Sequence, residues 1–485
     1  MVEIKKNFIY NSILTTANYL FPILVFPYIS RVLGVDNIGI CNFVDSIIQN
    51  FILISMLGIP IVGVREVVIS KGDRLKLNRV FSSIFYANAV LTTFAVVILF
   101  ICTYTINDLY QHKELMYVGV FKLIGNFLMI EWFFKGLEDF KYITIRSIIV
   151  RTLYVISVFV LVQSKDDYIF YFILTCSTFV INAIVNIFYS KKYVNLTISV
   201  LPFKTISKPI VILGIYMIFT SFYTSFNTSF LGISTDTTQV GYFTTATKLY
   251  AIILALFSAF TTVMLPRMTS IYSEGNMEEF KQMLLKCSKL FYSILIPIVF
   301  FGVIFAGDII ILLAGSGFSG AILPMQICMV VMLVVGYEQV IIIQGLMPMK
   351  RDKSILINSI VGGITALLCC FILIPCLGAI GASIVWLSSE IAVAVSASIF
   401  MYKYIGFKFP SKEVIILLLY NIPLGFLLLL LSIIMCADNN MFGLISTLLI
   451  GGVIVTIYTL IIQCAILKEP LFVDVLKKLK IIKKY

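Results

Sequence analysis

The sequence predicts an all-α polytopic membrane protein with about fourteen transmembrane helices. Hydrophobic residues make up 60% of the 485 residues and charged residues only 12%, against roughly 45–50% and 25% in soluble domains. The apolar residues form long stretches, as a bilayer core requires roughly 20 of them per helix. The basic residues lie in alternate gaps between these stretches, which is typical of membrane proteins whose basic loops face the cytoplasm.

The predicted spans follow one another with short gaps. The first seven are Phe8–Ile29, Ile38–Val62, Val80–Thr103, Leu115–Phe134, Ser147–Gln163, Tyr168–Tyr189 and Ile210–Phe230. The other seven are Gly241–Leu265, Leu290–Ala306, Ile322–Leu346, Ile355–Ile374, Leu377–Met401, Val414–Met435 and Phe442–Ile466.

The charges in the gaps predict the orientation. With the N-terminus inside, thirty Lys and Arg residues fall in inner gaps, whereas the outer gaps hold only Arg31, Lys113 and Lys165. Because short basic loops stay in the cytoplasm, both termini are predicted to be cytoplasmic. The net charge of +12 is then explained by inner loops that face anionic lipid, so nucleic acid is not predicted as a partner.

The outer face and the motif content argue against an enzyme. The longest outer gap, Gly307–Ala321, has about fifteen residues, which is too short for the catalytic loop that a membrane glycan polymerase needs. The sequence contains no Gly-x-x-x-x-Gly-Lys-Ser/Thr segment to hold nucleotide phosphates. Its single histidine, His112, cannot form a histidine-based metal cluster or triad. We therefore predict neither a catalytic site nor a metal or cofactor.

An internal repeat predicts how the helices are organised. Leu33-Gly34, Gly39 and Pro60 recur in order as Leu231-Gly232, Gly241 and Pro266, about 200 residues later. Six spans separate the copies, so the two halves would be related by a pseudo-two-fold axis along the membrane normal. The predicted parts are an N-terminal six-helix lobe (1–190), a cytoplasmic linker (191–209), a C-terminal six-helix lobe (210–401), two additional transmembrane helices (402–466) and a basic amphipathic cytoplasmic tail (467–485).

Seven charged residues fall inside the predicted spans: Asp45, Lys122, Glu131, Arg151, Lys248, Glu338 and Glu390. Each would cost at least roughly 2.5–3.5 kcal/mol if it faced lipid at the bilayer centre, so each must face protein or a watery cavity. Asp45, Lys122 and Lys248 lie about seven residues from the outer ends of their spans, which is roughly 10 Å of depth for each of them.

These charges allow two interpretations. Lys122, Arg151 and Lys248, with Arg31 at the outer rim, would line a central cavity through which an anion passes. The acidic residues Asp45, Glu338 and Glu390 would then be candidates for ion coupling. Alternatively, the charges pair and hold helices together, for example Asp45 with Lys122. Glu131 has a partner one turn away in Lys135.

Several motifs resemble those of the polysaccharide biosynthesis flippase family. They are PYISRVLG at Pro27–Gly34 with Gly39 and Gly58-Ile59-Pro60, EWFFKGLE at Glu131–Glu138, Gly241–Leu249, Leu265–Arg267, Phe318 with Ala321, and LGAIGA at Leu377–Ala382. The resemblance covers nearly all of the first 400 residues.

This resemblance implies a lipid-linked oligosaccharide flippase of the multidrug/oligosaccharidyl-lipid/polysaccharide exporter superfamily. Such proteins move undecaprenyl-pyrophosphate-linked oligosaccharides across the bacterial inner membrane for O-antigen, capsule or exopolysaccharide assembly, by alternating access. The implied partners are that substrate, membrane lipids, H⁺ or Na⁺, and a polysaccharide polymerase with chain-length proteins. Basic residues line the cavity of such flippases, and Arg31, Lys122, Arg151 and Lys248 are matched to that feature.

Two alternatives stay open at this point. A cation-coupled multidrug exporter of the same superfamily would suit Asp45, Glu338 and Glu390, although the scattered Lys and Arg residues argue against it. A membrane glycan polymerase is disfavoured by the short outer loops.

Overall fold

The computed structural model describes residues 2–198, 203–435 and 441–467, and within these ranges the chain is helical and contains no β-strand. The predicted all-α membrane fold class is confirmed. The first ten helices are α1 (Val2–Met56), α2 (Ile59–Ser70), α3 (Arg74–Thr105), α4 (Asn107–Gln111), α5 (Lys113–Leu128), α6 (Glu131–Gly136), α7 (Phe140–Leu161), α8 (Tyr168–Ser190), α9 (Phe203–Phe222) and α10 (Ser225–Ser234). The others are α11 (Thr237–Ser273), α12 (Met277–Ile304), α13 (Ala306–Ala314), α14 (Ile322–Glu338), α15 (Asp352–Ile405), α16 (Ser411–Met435) and α17 (Met441–Ile461).

Ten helical runs in the described ranges are long and apolar enough to cross a membrane, or eleven when the pair α9 and α10, bent by 47°, counts as one. Two of these runs, Ile13–Ser70 with 58 residues and Asp352–Ile405 with 54 residues, each cover two of the predicted spans, the first of them from Ile13 onward. The number fourteen therefore stays a prediction.

Single glycines break the two longest helices. The sequence predicted a connecting gap between the first two spans, but α1 runs through it and departs from helical geometry only at Gly34 (φ 77°, ψ 174°). In α15 the corresponding break is at Gly378 (φ 56°, ψ −129°). Glycine adopts a positive φ without steric penalty, so one residue replaces the predicted loop.

The chain forms two compact units, which are described separately. Unit 1 consists of Met1–Thr244 and Ser359–Ser389. Its core contains the aromatic motif at Trp132–Phe134, which is at most 3% exposed and packs with Val67 and Phe81. The lobes 1–190 and 210–401 were predicted from the internal repeat, whereas these units are defined by compactness. The two lobes therefore stay a prediction.

Glycines of the internal repeat contact each other's segments inside unit 1. A Cβ on Gly39 of α1 would lie 1.8 Å from the Thr237 carbonyl oxygen of α11, and one on Gly241 would lie 2.5 Å from the Val35 carbonyl oxygen. Neither distance is compatible with a side chain. The two repeat landmarks are therefore glycine because α1 and α11 approach each other with backbone against backbone.

Unit 2 consists of Thr245–Asn358 and Glu390–Tyr485. Within it α12 packs closely on α14, because Gly336 leaves room for Leu295 and Gly302 leaves room for Met329. A π-helix, Gln339–Leu346, continues α14. The basic tail predicted for 467–485 lies outside the described residues except for Leu467.

Candidate functional site

An ion pair with one buried partner joins two membrane helices of unit 1. The Lys122 Nζ of α5 donates to the Asp45 Oδ1 of α1 at 2.5 Å. The Lys122 side chain is only 4% exposed, whereas that of Asp45 is 37% exposed, and the ammonium also lies 4.8 Å from the centre of the Phe179 ring. The pairing that the sequence offered as one interpretation of these residues is present, with the carboxylate as the accessible partner.

Polar side chains follow the same part of α1. The Asn42 Nδ2 donates to the Thr244 Oγ1 at 2.8 Å, and the Asn50 Nδ2 donates to the Ser229 Oγ at 2.8 Å. The Ser225 Oγ in turn donates to the Asn50 Oδ1 at 2.7 Å. These bonds tie α1 to α10 and α11 by groups that could not be left unsatisfied in a membrane interior.

The other two predicted cations of unit 1, Arg31 and Arg151, both bind backbone carbonyl oxygens. Arg31 is exposed, and its Nη1 donates to the Pro27 carbonyl oxygen at 2.7 Å. Arg151 is half-buried, and its Nη1 donates to the Ala17 carbonyl oxygen at 3.2 Å. Both guanidiniums therefore bind helix carbonyls of α1.

The sequence assigned Arg146 to an inner gap, but the structure buries it within α7 at 6% exposure. Its Nη1 donates to the Asn186 Oδ1 at 2.5 Å, and its Nη2 lies 3.7 Å from the Glu131 Oε1. Glu131 also pairs with Lys135 at 3.2 Å. The sequence did not predict this burial, because the apolar run was begun at Ser147. Asp139, which caps α7 by accepting from the Tyr142 amide, was the available signal for an earlier helix start.

Tyrosines next to this cluster bind the same cap. The hydroxyls of Tyr189 and Tyr193 both donate to the Asp139 Oδ2, at 3.1 and 3.2 Å. Burial raises the pKa of Tyr193 above its usual range, and its hydrogen bonds to Tyr189 and Asp139 add to the effect. Tyr193 therefore remains a neutral donor. These hydrogen bonds connect the start of α7 to the end of α8 and the turn that follows it.

Unit 2 brings together two acidic residues that the sequence treated separately. Glu338, at the end of α14, is 8% exposed, and Glu390, in α15, is 7% exposed. The two carboxyl groups interact electrostatically with each other. The Glu338 Oε1 has no partner among the described residues. Two buried like charges repel each other, which favours a proton on one of the two carboxyl groups.

Lys248 lies in unit 2, half-buried on α11, and its side chain interacts with other groups of the protein. Of the predicted site residues, the structure thus pairs Asp45 with Lys122 and Glu338 with Glu390. No group of three or more metal-ligating side chains occurs within the described residues.

Known structures share this fold. A structure titled lipid II flippase MurJ, in an inward closed conformation, superposes with a TM-score of 0.78 at 15% sequence identity and covers 94% of this chain and 99% of its own. An inward-facing multidrug resistance MATE family transporter of the MOP superfamily gives a TM-score of 0.62 at 15% identity over 80% of this chain and 94% of its own. At these identities the likeness concerns the fold alone.

Two curated relatives are named as candidate O-antigen transporters. The one from Escherichia coli (strain K12) is 26% identical over 166 residues, which span 34% of this chain but only 40% of the relative. The one from Shigella dysenteriae is 24% identical over 395 residues, or 81% of this chain and 98% of the relative.

The sequence profile of the family described as "Polysaccharide biosynthesis protein" matches residues 4–272, more than half of the chain. This range includes the Pro27–Gly34 and Glu131–Glu138 motifs that carried the resemblance. The protein therefore belongs to the polysaccharide biosynthesis protein family.

Proposed function

We propose that the protein is a flippase that moves undecaprenyl-pyrophosphate-linked oligosaccharides from the cytoplasmic to the outer leaflet of a bacterial inner membrane. The observation that carries the proposal is the accessible Asp45 carboxylate with its Lys122 partner inside a membrane helix. Such groups have no place against lipid and are found where polar cargo passes. The family and the curated relatives support the same class of cargo.

The proposed substrate has three parts, a polyprenyl tail, a pyrophosphate and sugars, and the last two are polar. The polyprenyl tail can remain in the bilayer, while the sugars and the pyrophosphate need a polar path. Pyrophosphate oxygens are acceptors, and charge-assisted bonds to Lys and Arg are the strong kind. Arg31, Lys122, Arg151 and Lys248 supply the cations of the proposal. Lys122 would serve only in a state that releases it from Asp45.

Movement against a gradient needs an energy source, and we propose ion coupling through intramembrane carboxylates. Glu338 and Glu390 are the coupling residues of this proposal, and Asp45 would join them only in a state that releases it from Lys122. The Glu338–Glu390 pair suits H⁺ because two buried like charges favour a proton on one of the carboxyl groups. Alternating access between the two leaflets would then expose the carboxylates to each side in turn.

The test is surface-glycan assembly in a strain that lacks the gene. Wild-type protein is expected to restore assembly, and the strain without it should accumulate lipid-linked repeat units. At equal protein level, Lys248→Arg should retain more assembly than Lys248→Ala, because it keeps the charge. If Lys248→Ala and Lys248→Arg restored assembly equally, Lys248 would not contact the cargo. If the wild type failed to restore assembly, the proposed function would be refuted.

One observation favours a second candidate, a cation-coupled multidrug exporter. The acidic pair Glu338–Glu390 could attract organic cations, and a multidrug transporter shares the fold. Binding of tetraphenylphosphonium to the purified protein, lost in Glu338→Gln, would support this function instead.

A further inference from the structure

One face of α1 is polar where a membrane helix should be apolar. Between Cys41 and Asn50 only four residues are half-buried: Asn42, Asp45, Gln49 and Asn50. The other six are buried, and all of those except Ser46 are apolar. The accessible surface of this stretch therefore consists of three amides and one carboxylate, which we call the polar stripe.

The spacing gathers the polar stripe on one side of the helix. Asn42, Asp45 and Gln49 follow one another at intervals of three and four residues, so they share a face, and Asn50 adjoins Gln49. At 1.5 Å rise per residue the polar stripe extends over about 12 Å, longer than one sugar ring. A side composed only of such groups would not be stable against hydrocarbon, so it borders water.

Most of the polar stripe is held in place by contacts already described, and one member is not. Asn42, Asp45 and Asn50 are fixed by Thr244, by Lys122 and by Ser225 with Ser229, respectively. The Gln49 side chain makes no hydrogen bond to any other described residue. Its amide offers two N–H donors and one carbonyl acceptor to a molecule in the water beside it.

We propose that the polar stripe binds sugar hydroxyls of the cargo and that Gln49 contributes to the choice of glycan; this rests on the flippase function proposed above. A hydroxyl both donates and accepts, so it matches amides, which do the same, and the Asp45 carboxylate, which accepts. The pyrophosphate has only acceptor oxygens, so it can accept from the amides but has nothing to donate to the Asp45 carboxylate. The polyprenyl tail offers no hydrogen bonds. Of the three parts of the cargo, the glycan alone fits.

The test compares two cargoes in one strain background. The full-length protein is expressed in a strain without its own transporter, once with the genes for the native repeat unit and once with genes for a unit of different sugars on the same undecaprenyl pyrophosphate. Surface glycan is normalised to protein level. Gln49→Leu should change the ratio of the two yields by about twofold to tenfold, the value of one hydrogen bond. Gln111→Leu, on the exposed end of α4, is the control and should leave the ratio unchanged.

The ratio measured for Gln49→Leu either supports or overturns the role of Gln49 in glycan choice. An unchanged ratio for Gln49→Leu, or an equal loss for both glycans, overturns the role of Gln49 in glycan choice. If Gln49→Leu does not accumulate, Gln49→Asn, which keeps the amide but shortens the side chain, decides by the same ratio. If the wild type assembles neither glycan, the proposed flippase function has failed rather than this inference.

Discussion

The two buried pairs of charged side chains differ in the charge that they carry. In unit 1, Asp45 and Lys122 have opposite charges and neutralise each other at 2.5 Å. In unit 2, Glu338 and Glu390 have like charges, are each less than 9% exposed, and leave one carboxylate oxygen without a partner among the described residues. The first pair is complete within the protein, whereas the like charges of the second favour uptake of a proton.

This difference separates two tasks that the sequence assigned to one set of residues. A complete ion pair between α1 and α5 holds helices in register and is costly to break, because a stranded charge remains. A like-charge pair changes its state whenever a proton enters or leaves. We therefore expect Asp45 and Lys122 to matter first for stability, and Glu338 and Glu390 first for coupling.

The largest expected effect is on the stability of unit 1. Asp45→Asn leaves the Lys122 ammonium without its counter-charge at 4% exposure, and removal of one partner from a buried pair costs about 3–5 kcal/mol. Lys122→Met should cost less, because the Asp45 carboxylate is 37% exposed and keeps some hydration. The thermal unfolding temperature of the purified proteins in detergent measures both changes.

The double variant Asp45→Asn/Lys122→Met checks the interpretation, since it removes both charges. It should unfold at a higher temperature than Asp45→Asn alone. Asp166→Asn, at an exposed position, is the matched control and should be neutral. If Asp45→Asn is as stable as the wild type and loses only gradient-driven transport, Asp45 is a coupling residue rather than a structural one.

A smaller effect on stability is expected for Glu338→Gln and Glu390→Gln. The amide is neutral, as a protonated carboxyl group is, and it can also donate a hydrogen bond, so each variant should unfold within about 1 kcal/mol of the wild type. Transport, however, should no longer respond to an imposed proton gradient. The measurement is cargo movement in inverted vesicles with and without that gradient, and Glu278→Gln, an exposed acid of α12, is the control. If transport by both variants still depended fully on the proton gradient, Glu338 and Glu390 would not be coupling residues.

Hydropathy and charge patterning were sufficient to predict the all-α membrane class, and the motifs were sufficient for the family. The breaks at Gly34 and Gly378 were not predictable as single-residue events, because an apolar window cannot distinguish a short loop from a helix that continues past a glycine with positive φ. The close approach at Gly39 was likewise visible only as a repeated landmark. Its cause, the backbone of α11, lies about 200 residues away.

For the candidate site, the sequence located the charged residues but not their partners. Similar depth suggested Asp45 with Lys122, since both lie about seven residues from an outer end. Nothing in the sequence joined Glu338 to Glu390, because the neighbours of α14 and α15 depend on helix packing rather than on periodicity. Arg146 and Gln49 were missed for a related reason: burial and accessibility are properties of the assembled helices.

The flippase function itself is tested most directly with purified protein in liposomes. Fluorescent undecaprenyl-pyrophosphate oligosaccharide is placed in both leaflets, and a reductant that cannot cross the membrane is added outside. With the wild-type protein, the label of the inner leaflet is expected to become accessible, and more slowly with Lys248→Ala than with Lys248→Arg. If the inner-leaflet label stays protected although folded protein is present, the protein does not move this lipid and the proposed flippase function is wrong.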